Sequence, residues 1–283
     1  PMQVNGRLRG DAWEGCYLLV RGITITDSPV ALINFLFQVV VMILALDLLL
    51  LLVLYHTRLT QNQEKWREAK QLALLILFGS IPLFIDYIPW GAHDISFHLM
   101  RIEGIREGLQ SGMFPVRIQP GWLNGHGYAV SVFYGDLFLY IPAILRMFGI
   151  SIQTCYQLYV LLVNTATVFA AYYCFAKVSD KRTGMFCAAL YSLNIYRLTC
   201  LYARAAVGEY TAMIFLPILL YGFWKVYTSP EESKEHKNSW ITISLGFTGL
   251  LLTHMITCEM AALFTIILCV VLWKKTFRKK TFF

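Results

Sequence analysis

Charged side chains are scarce in this sequence. They make up 14% of its 283 residues, against about 25% in an ordinary soluble domain, so a water-soluble globular protein is excluded. The cysteines include no C-x-x-C pair. The seven of them, Cys16, Cys155, Cys174, Cys187, Cys200, Cys258 and Cys269, lie mostly inside apolar runs. A thiol there behaves as a small hydrophobe, so neither a disulfide framework nor a zinc site is expected. No internal repeat is visible, which weighs against the matched halves common in transporters. A basic face interleaved with aromatics is also missing. The formal charge of +7 comes instead from Lys and Arg gathered in short loops, as topology signals are, so nucleic acid is not an expected partner.

What is present is apolar. Hydrophobic residues reach 57% and aromatics 15%, and the runs approach the roughly 20 residues that a helix needs to cross a hydrocarbon core. They are Leu32 to Tyr55, Leu72 to Trp90, Gln153 to Ala176, Gly184 to Leu198, Val207 to Tyr227, and a pair from Trp240 to Trp273 divided near His254. A further piece, Ala129 to Phe148, is interrupted by Tyr134-Gly135-Asp136 and Pro142. The expected fold is therefore an all-α integral membrane protein, a multi-pass helical bundle with the lipid bilayer as its solvent. Leu32 to Tyr55 is too long for a signal-peptide core and lacks a cleavage site, so it reads as a retained anchor within an N-terminal segment, 1–60. Asp47 inside it faces other helices or a water-filled cavity, or serves a proton relay. Residues 61–283 form the N-terminal part of the main membrane domain, and the chain reads as a piece of something longer.

Orientation follows the positive-inside rule. The basic stretches His56 to Lys70, Lys177 to Arg182 and Lys274 to Lys280 are expected on the cytoplasmic side. An even number of crossings between the first two, supplied by Leu72 to Trp90 and Gln153 to Ala176, puts about 91–151 outside, with Ala129 to Phe148 lying on or dipping into the outer leaflet. The loop from Arg197 to Glu209 then lies outside as well, and so does Thr253-His254.

The external stretch opens with the chain's densest cluster of ionisable groups. At about 100° per residue, Ile95, Leu99, Ile102, Ile105 and Leu109 form one apolar stripe, suited to a helix lying on a membrane. Asp94, His98 and Arg101 share a flank at spacings of four and three, where side chains meet. A carboxylate can take a proton, an imidazole can orient it, and a guanidinium can clamp a phosphate. The same residues also suit a plainer arrangement, with Asp94 capping the helix and His98 and Arg101 as interfacial anchors. Gly104 and Gly108 mark a place where a neighbouring helix or a ligand could approach closely. Two histidines and a carboxylate, His93, Asp94 and His98, could begin a zinc site, but His93 precedes the helix and no further ligand lies nearby. His254 reads as a satisfied polar residue at a turn more readily than as a ligand.

Several motifs in order carry a family resemblance. His93-Asp94-Ile95-Ser96-Phe97-His98-Leu99-Met100-Arg101, then Phe114-Pro115-Val116-Arg117, Gly125-His126-Gly127-Tyr128, Phe133-Tyr134-Gly135-Asp136 and Leu201-Tyr202-Ala203-Arg204 through Gly208-Glu209 are similar to bacterial multi-pass membrane proteins labelled 6-pyruvoyl-tetrahydropterin synthase-related. The similarity covers about Leu72 to Trp273 and leaves out the N-terminal 60 or so residues. Those proteins in turn resemble the GT-C superfamily of membrane glycosyltransferases. The resemblance implies a GT-C-like fold with interfacial helices in an external loop, and a sugar donor carried on polyprenyl phosphate at the outer face of a bacterial cell membrane. It implies Asp94 as the catalytic carboxylate. The chemistry of such a transfer makes His98 a partner for it and Arg101, Arg117, Arg204 and Tyr134 candidate phosphate- or substrate-binding residues, with Arg117 and Arg204 equally suited to anchor lipid headgroups. Asp136 and Glu209 are then second acids or metal ligands, or else Asp136 caps a helix and Glu209 pairs with Arg204. A divalent metal is compatible with such chemistry, and no organic cofactor is expected. A transporter or flippase and a non-catalytic assembly protein are the alternative classes.

Overall fold

The computed structural model describes residues 63–84 and 92–277. The Leu32 to Tyr55 run with Asp47, Cys16, the end of the Leu72 to Trp90 run and the basic tail from Arg278 lie outside the described residues. The described chain is all-helical, without a named strand.

Helix α1 spans Gln63–Ser80 and α2 spans Ile95–Gln110. Gly112, at φ +82°, ends α2: its N–H donates to the Leu109 carbonyl and the Met113 N–H to that of Gly108, the paired closure that a left-handed residue permits. After the short helix Val130–Phe133 comes α3, Tyr140–Met147. Ser151 then accepts the Thr154 N–H and starts α4, Ile152–Val178, the longest helix at 27 residues. Asp180 accepts two N–H groups to start α5, Lys181–Ser192. A short helix, Ile195–Thr199, runs into a π-helix, Cys200–Arg204. Beyond it lie α6, Val207–Ala212, α7, Phe215–Thr228, α8, Ser239–Leu251, and α9, Met255–Val271, whose first turn is capped by His254.

Among the described residues, two helical stretches are long and apolar enough to cross a membrane: Ile152–Val178, with 27 residues, and Val207–Thr228, with 22. Elsewhere the structure differs from the run lengths. The expected span from Gly184 to Leu198 is a helix of 12 residues, about 18 Å at 1.5 Å per residue. It stops where the Asn194 side chain accepts the Tyr196 N–H and starts a new helix. The Trp240 to Trp273 run does divide at His254, as expected. Ala129 to Phe148 is broken at Tyr134–Asp136, as expected, but Pro142 does not interrupt it: it sits in the first turn of α3, where its missing N–H costs no helical bond.

Three apolar clusters hold the bundle. In the largest, Ile95, Leu99, Ile102 and Ile105 of α2 are buried against Leu139, Ala143 of α3 and Tyr156, Tyr159 and Val160 of α4. The stripe expected to meet the membrane therefore faces the protein interior. Burial of each such side chain contributes about 1.5–3 kcal/mol where the alternative is water. A second cluster joins α7 to α8 and α9 through Phe215, Leu219, Phe223, Leu250 and Ala261, and a third joins α1, α4 and α5 through Leu72, Leu75, Val168, Ala171 and Ala188.

Candidate functional site

Four segments meet beside the first turns of α4: the start of α2, the turn 134–136, the turn 204–209 and the α8–α9 turn at 252–254. The Asp94 N–H donates to the Arg204 carbonyl at 3.1 Å. Arg101 Nη2 donates to the Gly135 carbonyl at 2.9 Å. Gly135 lies so close to the α8–α9 turn that a Cβ would sit 2.5 Å from the Leu252 carbonyl carbon, and a Cβ on Gly208 would sit 3.0 Å from the His254 ring. Only residues without a side chain allow these approaches. Tyr159 and Thr211 share a hydrogen bond at 2.7 Å, which ties the turn after Arg204 to α4.

His98 and Arg101 are both buried, at 5% and 1% exposure. Arg101 Nη1 lies 3.3 Å from His98 Nδ1. A guanidinium can only donate, so Nδ1 accepts and a neutral ring carries its proton on Nε2. Burial, helped by the charges of Arg101 and His254, holds the imidazole well below its ordinary 6.5. The Arg101 guanidinium lies 5.6 Å from the Phe97 ring centroid and 5.3 Å from that of Tyr134. Burial lowers it to about 10, which leaves it charged at neutral pH. The spacing of four and three thus joins His98 to Arg101 but leaves Asp94 apart. Asp94 stands at the N-cap position of α2, half-buried, and its carboxylate makes no capping hydrogen bond. The phosphate clamp expected of Arg101 is occupied by protein groups, because a buried cation takes the carbonyl and rings within reach.

Asp136 is half-buried at the turn next to Gly135. It does not cap the 3-10 turn that follows, and its Oδ2 is buried without a hydrogen-bond partner. Burial raises its carboxyl above the ordinary 3.8, against the opposing effects of Ser131 and Arg101. Arg204 and Glu209 form a two-pronged pair, Nη1 to Oε2 at 3.1 Å and Nη2 to Oε1 at 3.0 Å. The Tyr196 hydroxyl donates to Oε2 at 2.6 Å and the Cys200 thiol at 3.3 Å. His254 Nδ1 lies 2.8 Å from the Thr257 hydroxyl, the satisfied turn residue that was expected. Tyr134 is about half exposed, while Arg117 and His93 are exposed. The loop carrying Arg117 is fixed by the Val116 N–H, which donates to the Tyr140 hydroxyl at 2.8 Å. Among the described residues no group of three or more His, Cys, Asp or Glu side chains could hold a metal ion. Gly104 and Gly108 do mark a close approach, made by Gln119 and Val116 of the following loop.

Sequence reasoning missed the framework behind the site. Arg197, 2% exposed, donates to the Asn164 side-chain oxygen at 2.7 Å and to the Ser192 carbonyl at 3.1 Å. Asn164 in turn donates to the Gly79 carbonyl and the Ser80 hydroxyl, which joins α1, α4 and the segment before the π-helix. The available signal was Asn164 and Thr167, two polar residues inside the apolar run of α4.

The geometry describes a class: a helical protein that has, among the described residues, two apolar helices of membrane-crossing length and a polar site assembled where four turns converge. No family model matches the chain, and no solved structure matches it. It is similar to a protein of Lactococcus lactis subsp. cremoris (strain MG1363) described as an uncharacterized protein, with 23% identity over 206 residues. The match takes in 70% of this chain and 33% of the relative, so the chain spans about a third of the length of the curated protein it matches.

Proposed function

We propose that this chain is part of a multi-pass protein of a bacterial cell membrane that transfers a sugar from a polyprenyl-phosphate donor at the extracytoplasmic face, in the manner of GT-C-like glycosyltransferases. The observation that supports it most is the convergence of Asp94, Arg204 and Glu209 at one end of apolar helices. Asp94 is half-buried with its carboxylate uncommitted, and the same backbone hydrogen bond that fixes it fixes Arg204. A transfer of this kind needs a base for the acceptor hydroxyl and positive charge for the departing phosphate. In this reading Asp94 takes the hydroxyl proton, the acceptor oxygen bonds to the anomeric carbon, and the bond from that carbon to the phosphate oxygen breaks. Arg204 meets the charge left on the phosphate. Arg101, with His98 beside it, holds the Gly135–Asp136 turn next to them.

The test is sugar transfer from a polyprenyl-phosphate donor by the full-length protein in vesicles. Asp94→Asn is expected to lower turnover by about 100-fold or more, the usual contribution of a positioned base. Unchanged turnover would remove Asp94 from that role, and movement of the lipid without transfer would favour a flippase.

A further inference from the structure

Three arginines lie in the site and in the framework behind it, in very different states. Arg101 and Arg197 are buried and committed to carbonyls, a ring nitrogen, an amide and a hydroxyl. Arg204 is not: its side chain keeps 36% of its exposure, and that of its partner Glu209 keeps 18%. Arg204 ends the π-helix, and Ala205 follows it in the left-handed region at φ 55°, so the chain doubles back and brings Glu209 onto it. The carboxylate receives the guanidinium on both prongs, the geometry in which arginine also takes a phosphate. We propose that Glu209 is an internal stand-in on an anion site at Arg204, holding the guanidinium until a phosphate monoester displaces it.

The surroundings of Glu209 support displacement in preference to a permanent lock. Its Oε2 also accepts from Tyr196 and Cys200, so the carboxylate keeps two donors after Arg204 leaves and is not stranded. Arg204 is fixed on the other side through its carbonyl, which accepts the Asp94 N–H. Its guanidinium can therefore change partner while its backbone stays in place. The guanidinium is still partly exposed, so an incoming anion with two or three acceptor oxygens can reach it and offer the same two-pronged geometry. This inference rests on the reading of Arg204 as the residue that meets the phosphate left when the donor's sugar departs, and it adds that the residue is occupied at rest.

The experiment measures phosphate binding by the full-length protein in phosphatidylcholine vesicles, from the rise in thermal unfolding midpoint with ligand concentration. One arm adds inorganic phosphate and the other incorporates undecaprenyl monophosphate, and the arm that responds identifies a free or lipid-borne ligand. Glu209→Gln keeps the side-chain size and removes the competing charge, so it should bind about three- to tenfold more tightly. Adding Arg204→Gln should abolish that gain. Tyr196→Phe has the opposite expectation: with one donor fewer, Glu209 leans harder on Arg204 and binding weakens. Unchanged or weaker binding by Glu209→Gln in both arms overturns the proposal, as does a gain that survives Arg204→Gln. If Glu209→Gln does not fold, Tyr196→Phe decides, and unchanged or tighter binding there overturns it. Sugar transfer is not read in this assay: a site that behaves as described without any transferase activity would refute only the proposed reaction, and transfer without the Glu209 effect would refute only the stand-in.

Discussion

His98 converts burial into pH sensitivity. Its imidazole is held well below 6.5 in the folded protein, so between the folded value and 6.5 the unfolded chain binds the proton more readily. Stability is then complete above about pH 6.5 and is lost as pH falls below it, by at most about 1.4 kcal/mol per pH unit from one group. His254 is also lowered by burial and adds to the same limb. The expected result is that His98→Gln makes unfolding in vesicles measurably less steep between pH 6.5 and 5 than wild type, and a parallel profile would refute it. Asp136 acts with the opposite sign, since its raised carboxyl costs stability as pH rises from 3.8 through its folded value. At this scale the sequence was legible where contacts are local. His98 with Arg101 at i, i+3 and His254 at its turn were both readable from spacing. The carbonyl of Gly135 on Arg101 and the amide of Asn164 on Arg197 were not, because they are 34 and 33 residues away, and no periodicity within one helix encodes such a distance.

Element α2 shows why a correct helix can be given a wrong neighbour. The stripe from Ile95 to Leu109 follows from period 3.6 alone, but periodicity says only that one face is apolar, not whether protein or lipid covers it. Here α3 and α4 cover it, and the polar flank is held by Glu103, which pairs with Arg106 and with Arg146 of α3. The Gly108 close approach gives a test of that packing. A Cβ there would lie 2.5 Å from Val116 Cγ1 and 2.8 Å from Cγ2, both atoms of a stiff β-branched side chain. Gly108→Ala should therefore destabilise the folded protein by about 1–3 kcal/mol, the usual cost of overpacking. Because the obstruction is a side chain, Val116→Ala in the same molecule should recover part of that loss, and the double-mutant cycle should show coupling above about 0.5 kcal/mol. Strict additivity would mean that the loop after α2 does not pack as described. The short α5 has a similar lesson: composition gave it an apolar run, and the Asn194 cap, a single residue inside that run, ended it.

At the scale of the described molecule, polar regions sit at opposite ends of α4, with the buried Asn164–Arg197 network between them. Gln157, near its start, donates to the Leu83 carbonyl, whereas Tyr172, near its end, bonds to Glu68, which also pairs with Lys181. The 20 or so residues from Gln157 to Lys177 rise about 30 Å, the thickness of a hydrocarbon core. Between those ends the bundle shows apolar side chains outward, most completely on α9, where Ala261 is buried while Met260, Leu263, Ile266, Ile267 and Val270 are each more than half exposed. Water around such a helix would be costly, and lipid would not, which supports the membrane reading. The two environments predict different outcomes for one substitution. Ile266, 61% exposed, lies on a helix of 17 residues well away from the site's turns. If its side chain meets lipid, Ile266→Arg should cost about 2.5–3.5 kcal/mol, read as a lower unfolding midpoint in vesicles and less protein retained in the membrane fraction. If it meets water, an exposed substitution of this kind should stay within about 0.5 kcal/mol. Ile266→Leu, which keeps the apolar surface, should match wild type in both cases, so a loss confined to the arginine variant assigns this face to the bilayer.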